Sequence, residues 1–427
     1  MLVKAPRGTS DTLPPETSKW AYVEGVMREV SRRFNYQEIR TPTFEHLELF
    51  ARTVGETTDI VEKEMYNFKD KTGRDLALRP EGTAPVGRAF IEYGMASGPL
   101  PRKFFYMGPM FRYEKPQAGR YREHRQFGVE VLGSPSPYSD VEVIVLAMDL
   151  AAELGLTGTK LYLNSIGCPS CRAGYKAKLV AHIQPKKAEL CEDCKSRLER
   201  NPLRVLDCKQ EGCRSAIVGA PSMLDHLCPD CSAHWDDMGR ILAAQGIRYE
   251  VDNALVRGLD YYTRTVFELK WPPLGAQNTL FGGGRYDGLI AELGGPPTPG
   301  VGFGMGIERI LLATEKGNKP IQAEGGVDVF VVAFKGADNT VGDTAFGLVR
   351  KLRKSGLACE FDPLQRSMKA QMKQADRMNA KFVAIIGDDE IAQGVVAIRS
   401  MVESWQKSVP ADDAVSVLLE GVLDCAK

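Results

Sequence analysis

The sequence predicts an α+β protein in two parts. An antiparallel sheet with flanking helices, interrupted by an inserted subdomain, is followed by a smaller α/β domain. Three observations carry this expectation. Residues 103–131 hold two apolar-alternating runs around a polar loop, the pattern of a long antiparallel hairpin. Eight of the ten cysteines fall between Cys168 and Cys231, in a stretch whose composition differs from its surroundings. After a polar segment with Gly and Pro at 313–326, strand-like apolar runs alternate with helical ones. The expected division is 1–325, with an insertion at about 168–240, and 326–427.

Taken in order, Trp20, Val23, Val26, Met27 and Val30 recur at three- and four-residue spacing, an amphipathic helix over 18–34. A short strand at 37–40 ends against Pro42, and Phe44 onward reads as helix. Residues 76–78 read as a strand running into RPEGTAPVGRAF, a turn that opens a helix. The hairpin follows, then a helix over 139–154. Beyond the cysteine-bearing stretch come strands at 248–252 and 263–269 and a glycine-rich turn at 281–288. In the last part, 327–334 and 382–387 read as buried strands and 341–354 as a helix.

Lys plus Arg and Asp plus Glu number 55 each, so the formal net charge is zero. That total leaves a nucleic-acid partner open, because local concentration of charge matters more. No apolar run approaches the ~20 residues that span a bilayer, and no membrane partner is expected. The start, MLVKAPRGTSDTLPPE, lacks the apolar core of a signal peptide, so a cytoplasmic location is expected.

Chemistry concentrates in a few segments. Alternate strand residues share a face, so Arg112 and Glu114 share one on the outgoing strand and His124, Gln126, Gly128 and Glu130 one on the return. Phe111, Tyr113, Phe127, Val129 and Val131 are then expected toward the core. This pattern fits a polar site floor, and equally a half-solvated sheet. The loop KPQAGRYRE adds Lys115, Arg120 and Arg122, a set suited to phosphate or to a solvated turn. In VGFGMGIERILL, glycines 300, 302, 304 and 306 leave one strand face bare. That calls for a close backbone neighbour or a flat ligand, with Arg309 following at a helix start. RGLDYYTRTVFE places Arg257, Asp260, Tyr261 and Tyr262 on a loop, and FGGGRYDGL carries Tyr286. No Ser-His-Asp order or Walker loop is present; the chemistry is binding and charge neutralisation.

Together these segments resemble the motifs of the class II aminoacyl-tRNA synthetases. QEIRTPTFE resembles the first motif, FRYEKPQAGRYREHRQFGVE the second and GVGFGMGIERI the third; RGLDYYTRTVFE and GGGRYDGL resemble the histidine-specific motifs of the histidyl-tRNA synthetase family. The resemblance runs from APRGTSD at 5–11 into the C-terminal domain. It implies a six-stranded antiparallel catalytic sheet, a C-terminal anticodon-binding domain and a homodimer. The implied reaction uses histidine, ATP and Mg²⁺ to make histidyl-adenylate and charge tRNA(His). By resemblance, Arg112 holds the α-phosphate, Arg309 the far end of ATP, and Arg257 bridges the substrate carboxylate and α-phosphate. Glu114 and Arg120 complete the nucleotide side. His124 stands where the family usually has an aromatic residue on adenine, which implies a modest effect on ATP affinity. Glu81, Gly82 and Thr83, with Gln126, take the α-ammonium; Glu130, Tyr261, Tyr262 and Tyr286 form the imidazole pocket. Gln117 of the hairpin loop reaches the acceptor end. The alternative is a non-catalytic synthetase-like subunit regulating histidine biosynthesis; the intact Arg257, Tyr261, Tyr262, Arg112 and Arg309 argue for the enzyme.

CPSC at 168–171, CEDC at 191–194 and CPDC at 228–231 have the ligand spacing of tetrahedral zinc, with Cys208, Cys213, His226 and His234 as further candidates. The family's insertion is variable, so any Zn²⁺ is structural; the preferred set is Cys191, Cys194, Cys228 and Cys231. Buried reduced thiols are the other reading. In the C-terminal part, Arg366, Lys369, Lys373, Arg377 and Lys381 fall on one face of an expected helix at 366–381. Such a stripe is a solvated face or, beside a synthetase core, a contact for tRNA phosphates.

Overall fold

The computed structural model describes residues 3–425 except 56–57, 59, 116–118, 318–320, 322–325, 335–338 and 404. It divides into two compact units, Met1–Gln322 and Ala323–Lys427.

The first unit is organised by one large sheet. Its strands are β1 (Gln37–Glu38), β5 (Arg102–Phe111), β6 (Glu123–Leu132), β7 (Lys160–Ser165), β8 (Tyr249–Val251), β9 (Thr263–Lys270), β10 (Thr279–Arg285) and β11 (Gly300–Gly306). They lie in the order β1-β5-β6-β11-β10-β9-β7-β8. The six inner strands, β5 to β7, are antiparallel throughout, and β1 and β8 add parallel edges. A small second sheet joins β2 (Phe44–His46), β3 (Asn67–Lys69) and β4 (Asp75–Leu78). Phe44 therefore starts a strand, and the helix expected there, α2 (Leu47–Val54), begins after it.

The inner strands are amphipathic in opposite senses on the two faces. Phe127, Val129, Val131, Phe267, Phe281 and Phe303 point into one core, against α1 (Glu16–Arg33) and α4 (Pro137–Glu153). The other face carries glycines and polar side chains, closed by α3 (Thr83–Glu92). Tyr113 departs from the expected core set. It lies beyond the end of β5, half exposed, edge-on to Tyr66 and under the Arg122 guanidinium at 3.7 Å.

Between β7 and β8 the chain folds into α5 (Pro169–Ile183), α6 (Glu192–Arg200), α7 (Glu211–Ala216) and α8 (Pro229–Ala244). Helix α8 returns to the main body, where Met238, Ile241 and Leu242 join the sheet's core. Short α9 (Leu289–Glu292) follows β10, and α10 (Ile307–Lys316) follows β11 directly, so the polar segment begins as helix.

The second unit is a five-stranded sheet in the order β13-β12-β14-β15-β16, with β12 (Val329–Ala333), β13 (Cys359–Phe361), β14 (Phe382–Ile386), β15 (Val395–Ser400) and β16 (Gln406–Pro410). Helices α11 (Thr340–Lys354) and α14 (Ala414–Cys425) pack with Val329 and Val331, whereas α12 (Met368–Arg377) packs with Phe330 and Val332. Covering both faces explains the continuous apolar run of β12. A short α13 (Asp388–Gln393) links β14 to β15.

Candidate active site

The polar face of the sheet is bare because side chains of neighbouring elements lie across it. Register puts Glu130 beside Gly302, Gly128 between Tyr106 and Gly304, and Gly304 beside Gly282. A Cβ on Gly302 would collide with the Glu130 carboxylate and the Val129 carbonyl. One on Gly304 would meet the Gln126 amide, one on Gly128 the Tyr106 ring, and one on Gly282 the Arg257 guanidinium. The glycines of 281–284 are thus a central strand rather than the turn their composition predicts. Gly282 and Gly284 make room for Arg257 and Tyr262, and Gly283 for the backbone of β11.

Two compartments share this floor. The first is a buried pocket around Glu130, which is 1% exposed. Its carboxyl accepts hydrogen bonds from Thr83 Oγ1 at 2.8 Å, Tyr106 Oη at 3.3 Å and the Tyr286 hydroxyl. Burial outweighs these donors and pushes Glu130 up to about 8, so it is protonated at neutral pH. Glu81 accepts the backbone N–H groups of Thr83 at 2.6 Å and Ala84 at 2.9 Å, capping α3 at Gly82. Burial raises its pKa as well. Tyr261 packs tilted against Tyr262 at 4.7 Å and edge-on at 5.7 Å against Tyr286, walling the pocket. Gln126 Oε1 is buried with no hydrogen-bond partner among the described residues, and its amide lies over Gly304.

The second compartment is a cleft of about 200 Å³ lined by Arg112, Glu114, Arg120, His124, Arg257 and Arg309. Arg112 Nε donates to Pro80 O at 2.8 Å, Arg309 Nη1 to Thr279 O at 3.0 Å, and Arg120 pairs with Glu114 at 3.1 Å. Arg257 pairs with Glu268 at 3.1 Å and lies 5.7 Å over Tyr262; its buried Nε has no partner among the described residues. Burial, and then the neighbouring charge of Arg120, lower Arg309 from its usual range. Burial and Arg112 push the His124 imidazole down to about 3, so it enters the cleft as a neutral ring. Four guanidinium groups around one cleft next to a protonated carboxyl suit a polyanion and a zwitterion held side by side.

Several participants escape a reading of the sequence. Tyr106 hydrogen-bonds Glu130, and a large polar aromatic opposite Gly128 in the hairpin was the available signal. Arg285, beside Tyr286, is fully buried and paired with Asp140 of α4, whose pKa is held low. Burial works against that charge, but bonds from His234 and Arg285 prevail. Arg285 also donates to Ser134 O at 2.9 Å and Ser136 O at 3.2 Å, fixing the strand end that presents Tyr286.

The structure does not unite Cys191 and Cys194 with Cys228 and Cys231. Cys228 and Cys231 gather with Cys168 and Cys171, and Cys191 and Cys194 with Cys208 and Cys213. His234 is buried against Asp140 and Thr265, each at 3.3 Å, and His226 packs on the Tyr175 ring, so neither histidine belongs to a cysteine set. Gln117 lies outside the described residues. In the second unit α12 is shorter than the basic stripe. Lys369, Lys373 and Arg377 are exposed opposite buried Gln371 and Ala375, whereas Arg366 and Lys381 flank the helix and pair with Asp362 and Asp328.

A six-stranded antiparallel sheet whose hairpin arginine and strand-to-helix arginine face one cleft defines a class II aminoacyl-tRNA synthetase. Residues 8–310 match the family model described as histidyl-tRNA synthetase, and 328–421 the anticodon binding domain. The histidine–tRNA ligase of Moorella thermoacetica is 52% identical over 410 residues, covering 96% of each chain. That of Halothermothrix orenii is 51% identical over 405 residues, covering 94% of this chain and 95% of its own. The apo histidyl-tRNA synthetase of S. aureus superposes with a TM-score of 0.83 at 40% identity, over 98% of this chain and all of that one. The chain belongs to the histidyl-tRNA synthetase family.

Proposed function

We propose that the chain is a histidine–tRNA ligase that joins histidine to tRNA(His) through histidyl-adenylate, and not a regulatory subunit. The observation that carries this is the placing of Arg112, Arg257 and Arg309 around one cleft beside the Glu130 pocket. A carboxylate oxygen of histidine attacks the α-phosphorus of ATP, the bond to the bridging oxygen breaks, and pyrophosphate leaves. Negative charge builds on the phosphorus oxygens, where preorganised guanidinium groups act most strongly. Arg112 binds the α-phosphate, Arg309 the terminal phosphates, and Arg120 with Glu114 flanks the nucleotide. Arg257, anchored by Glu268, reaches both the attacking carboxylate and the α-phosphate and holds them in line. Neutral His124 stacks on adenine without adding charge. Mg²⁺, which shares the phosphate charge when bound, would sit against Glu114.

On the amino-acid side, Gln126 Oε1 and Glu81, beside Gly82 and Thr83, accept the α-ammonium. Glu130 exchanges a proton-bearing hydrogen bond with the imidazole, within the walls of Tyr261, Tyr262 and Tyr286. A site built to pair both ring nitrogens rejects isosteres, because its own buried groups would be left unpaired. Lys369, Lys373 and Arg377 contact tRNA phosphates, and Gln117 the acceptor end. The enzyme works as a cytoplasmic homodimer with structural zinc in its insertion. The test is charging of tRNA(His) with each amino acid in turn: charging confined to histidine is expected, and charging with another amino acid or with none would overturn the assignment.

A further inference from the structure

The eight clustered cysteines form two tetrathiol sites rather than one. Within each, all four sulfur atoms lie within 4.8 Å of one another. The Sγ separations are 3.6 Å for Cys168 and Cys171, 3.9 Å for Cys168 and Cys228, and 3.9 Å for Cys191 and Cys208. A disulfide needs about 2.0 Å. Zn–S bonds of about 2.3 Å give a tetrahedron edge of about 3.8 Å, which these separations match. Cysteines acting only as small hydrophobes have no reason to gather in fours at that spacing.

The backbone is shaped for metal as well. Cys168, Cys191 and Cys228 each stand at the N-cap of a helix, where amide dipoles favour thiolate. Backbone N–H groups already point at ligand sulfurs: Cys228 N to Cys171 Sγ at 3.1 Å, and Cys191 N to Cys213 Sγ at 3.2 Å. Such outer bonds orient ligands in metal sites.

The two sites differ in what they hold. Cys168, Cys171, Cys228 and Cys231 tie the start of α5 to the start of α8, the base of the insertion. Cys191, Cys194, Cys208 and Cys213 close a loop whose middle, residues 201–204, touches the arginine-bearing loop of the active site. There Arg204 Nη1 donates to Arg257 O at 2.8 Å, and Asn201 Nδ2 to Asp260 Oδ1 at 2.9 Å.

The geometry points to two structural zinc ions per chain, one stapling the base of the insertion and one holding residues 201–204 so that they position Arg257. The positioning half rests on the proposed role of Arg257. Arg204 and Asn201 are positioning residues, since they reach the reaction only through the backbone and neighbours of Arg257.

The test combines metal analysis with histidine-dependent ATP–pyrophosphate exchange on the full chain, purified with Zn²⁺ supplied. Wild type is expected to hold two zinc ions per chain, Cys208→Ser one, and Arg204→Met two. Both variants are expected to lose about 10- to 100-fold in kcat, the scale of a displaced catalytic group, with KM for ATP little changed. Co²⁺ substitution should give thiolate charge-transfer absorption that halves in Cys208→Ser. Fewer than two zinc ions in wild type would overturn the pair of sites. Full exchange in Arg204→Met would overturn the positioning role, and it does so even if Cys208→Ser fails to fold. Absence of exchange in wild type would instead sink the ligase reading and the positioning with it, leaving the zinc counts to judge the sites.

Discussion

Replacing Glu130 by Gln removes a titrating group from a fully buried site while keeping its shape. In the wild type the carboxyl goes from an ordinary 4.5 when unfolded to about 8 when folded. A raised carboxyl pKa means that the folded state holds a proton that the unfolded chain has released. Its contribution is therefore fully present below pH 4.5 and lost as pH rises to about 8. Each pH unit inside that window changes stability by at most about 1.4 kcal/mol. Between pH 6 and 8, wild type should lose about 2–3 kcal/mol relative to Glu130→Gln, the variant having nothing to titrate there. Urea unfolding of both proteins at pH 5, 6, 7 and 8, followed on the first unit's transition, reads this difference. The variant should also bind histidine about 2- to 12-fold more weakly, from a neutral hydrogen bond worth about 0.5–1.5 kcal/mol. Parallel stability curves for the two proteins across the whole range would refute the protonated-Glu130 argument.

Four further outcomes follow from the same geometry. Gly302→Ala meets the Val129 carbonyl, which cannot step aside, and should cost about 1–3 kcal/mol. Gly304→Ala displaces only the flexible Gln126 amide, so it should keep thermal stability and raise the KM for histidine. Asp140→Asn leaves the buried Arg285 with only the more exposed Asp287 as a charged partner, and chemical denaturation should show a loss of up to about 3–5 kcal/mol. His124, held near 3, stays neutral from pH 5 to 8, so KM for ATP should show no inflection that His124→Phe abolishes.

What the sequence made legible, and what it hid, follows the range of the interactions. The hairpin was readable because a period of two needs only its own residues, and Phe127, Val129 and Val131 do face the core opposite Gln126 and Glu130. Strand β10 was misread because glycines signal a turn locally. Here they admit Arg257 and Tyr262 from another segment and, at Gly283, the backbone of β11. The cysteine pairs were visible as C-x-x-C, yet which pair meets which depends on α5 and α8 starting side by side, a contact across about 60 residues that no spacing encodes. Tyr106, Asn201 and Arg204 stayed hidden for the same reason. Their meaning lies in what another segment brings to them.

The central claim is that Arg257 serves the adenylation step. Histidine-dependent ATP–pyrophosphate exchange in wild type and Arg257→Ala, alongside equilibrium binding of histidine and ATP, measures it directly. The expected result is vigorous exchange in wild type and a loss of at least about 100-fold in the variant, with each substrate still bound within a few fold. Exchange near the wild-type rate in well-folded Arg257→Ala would contradict it.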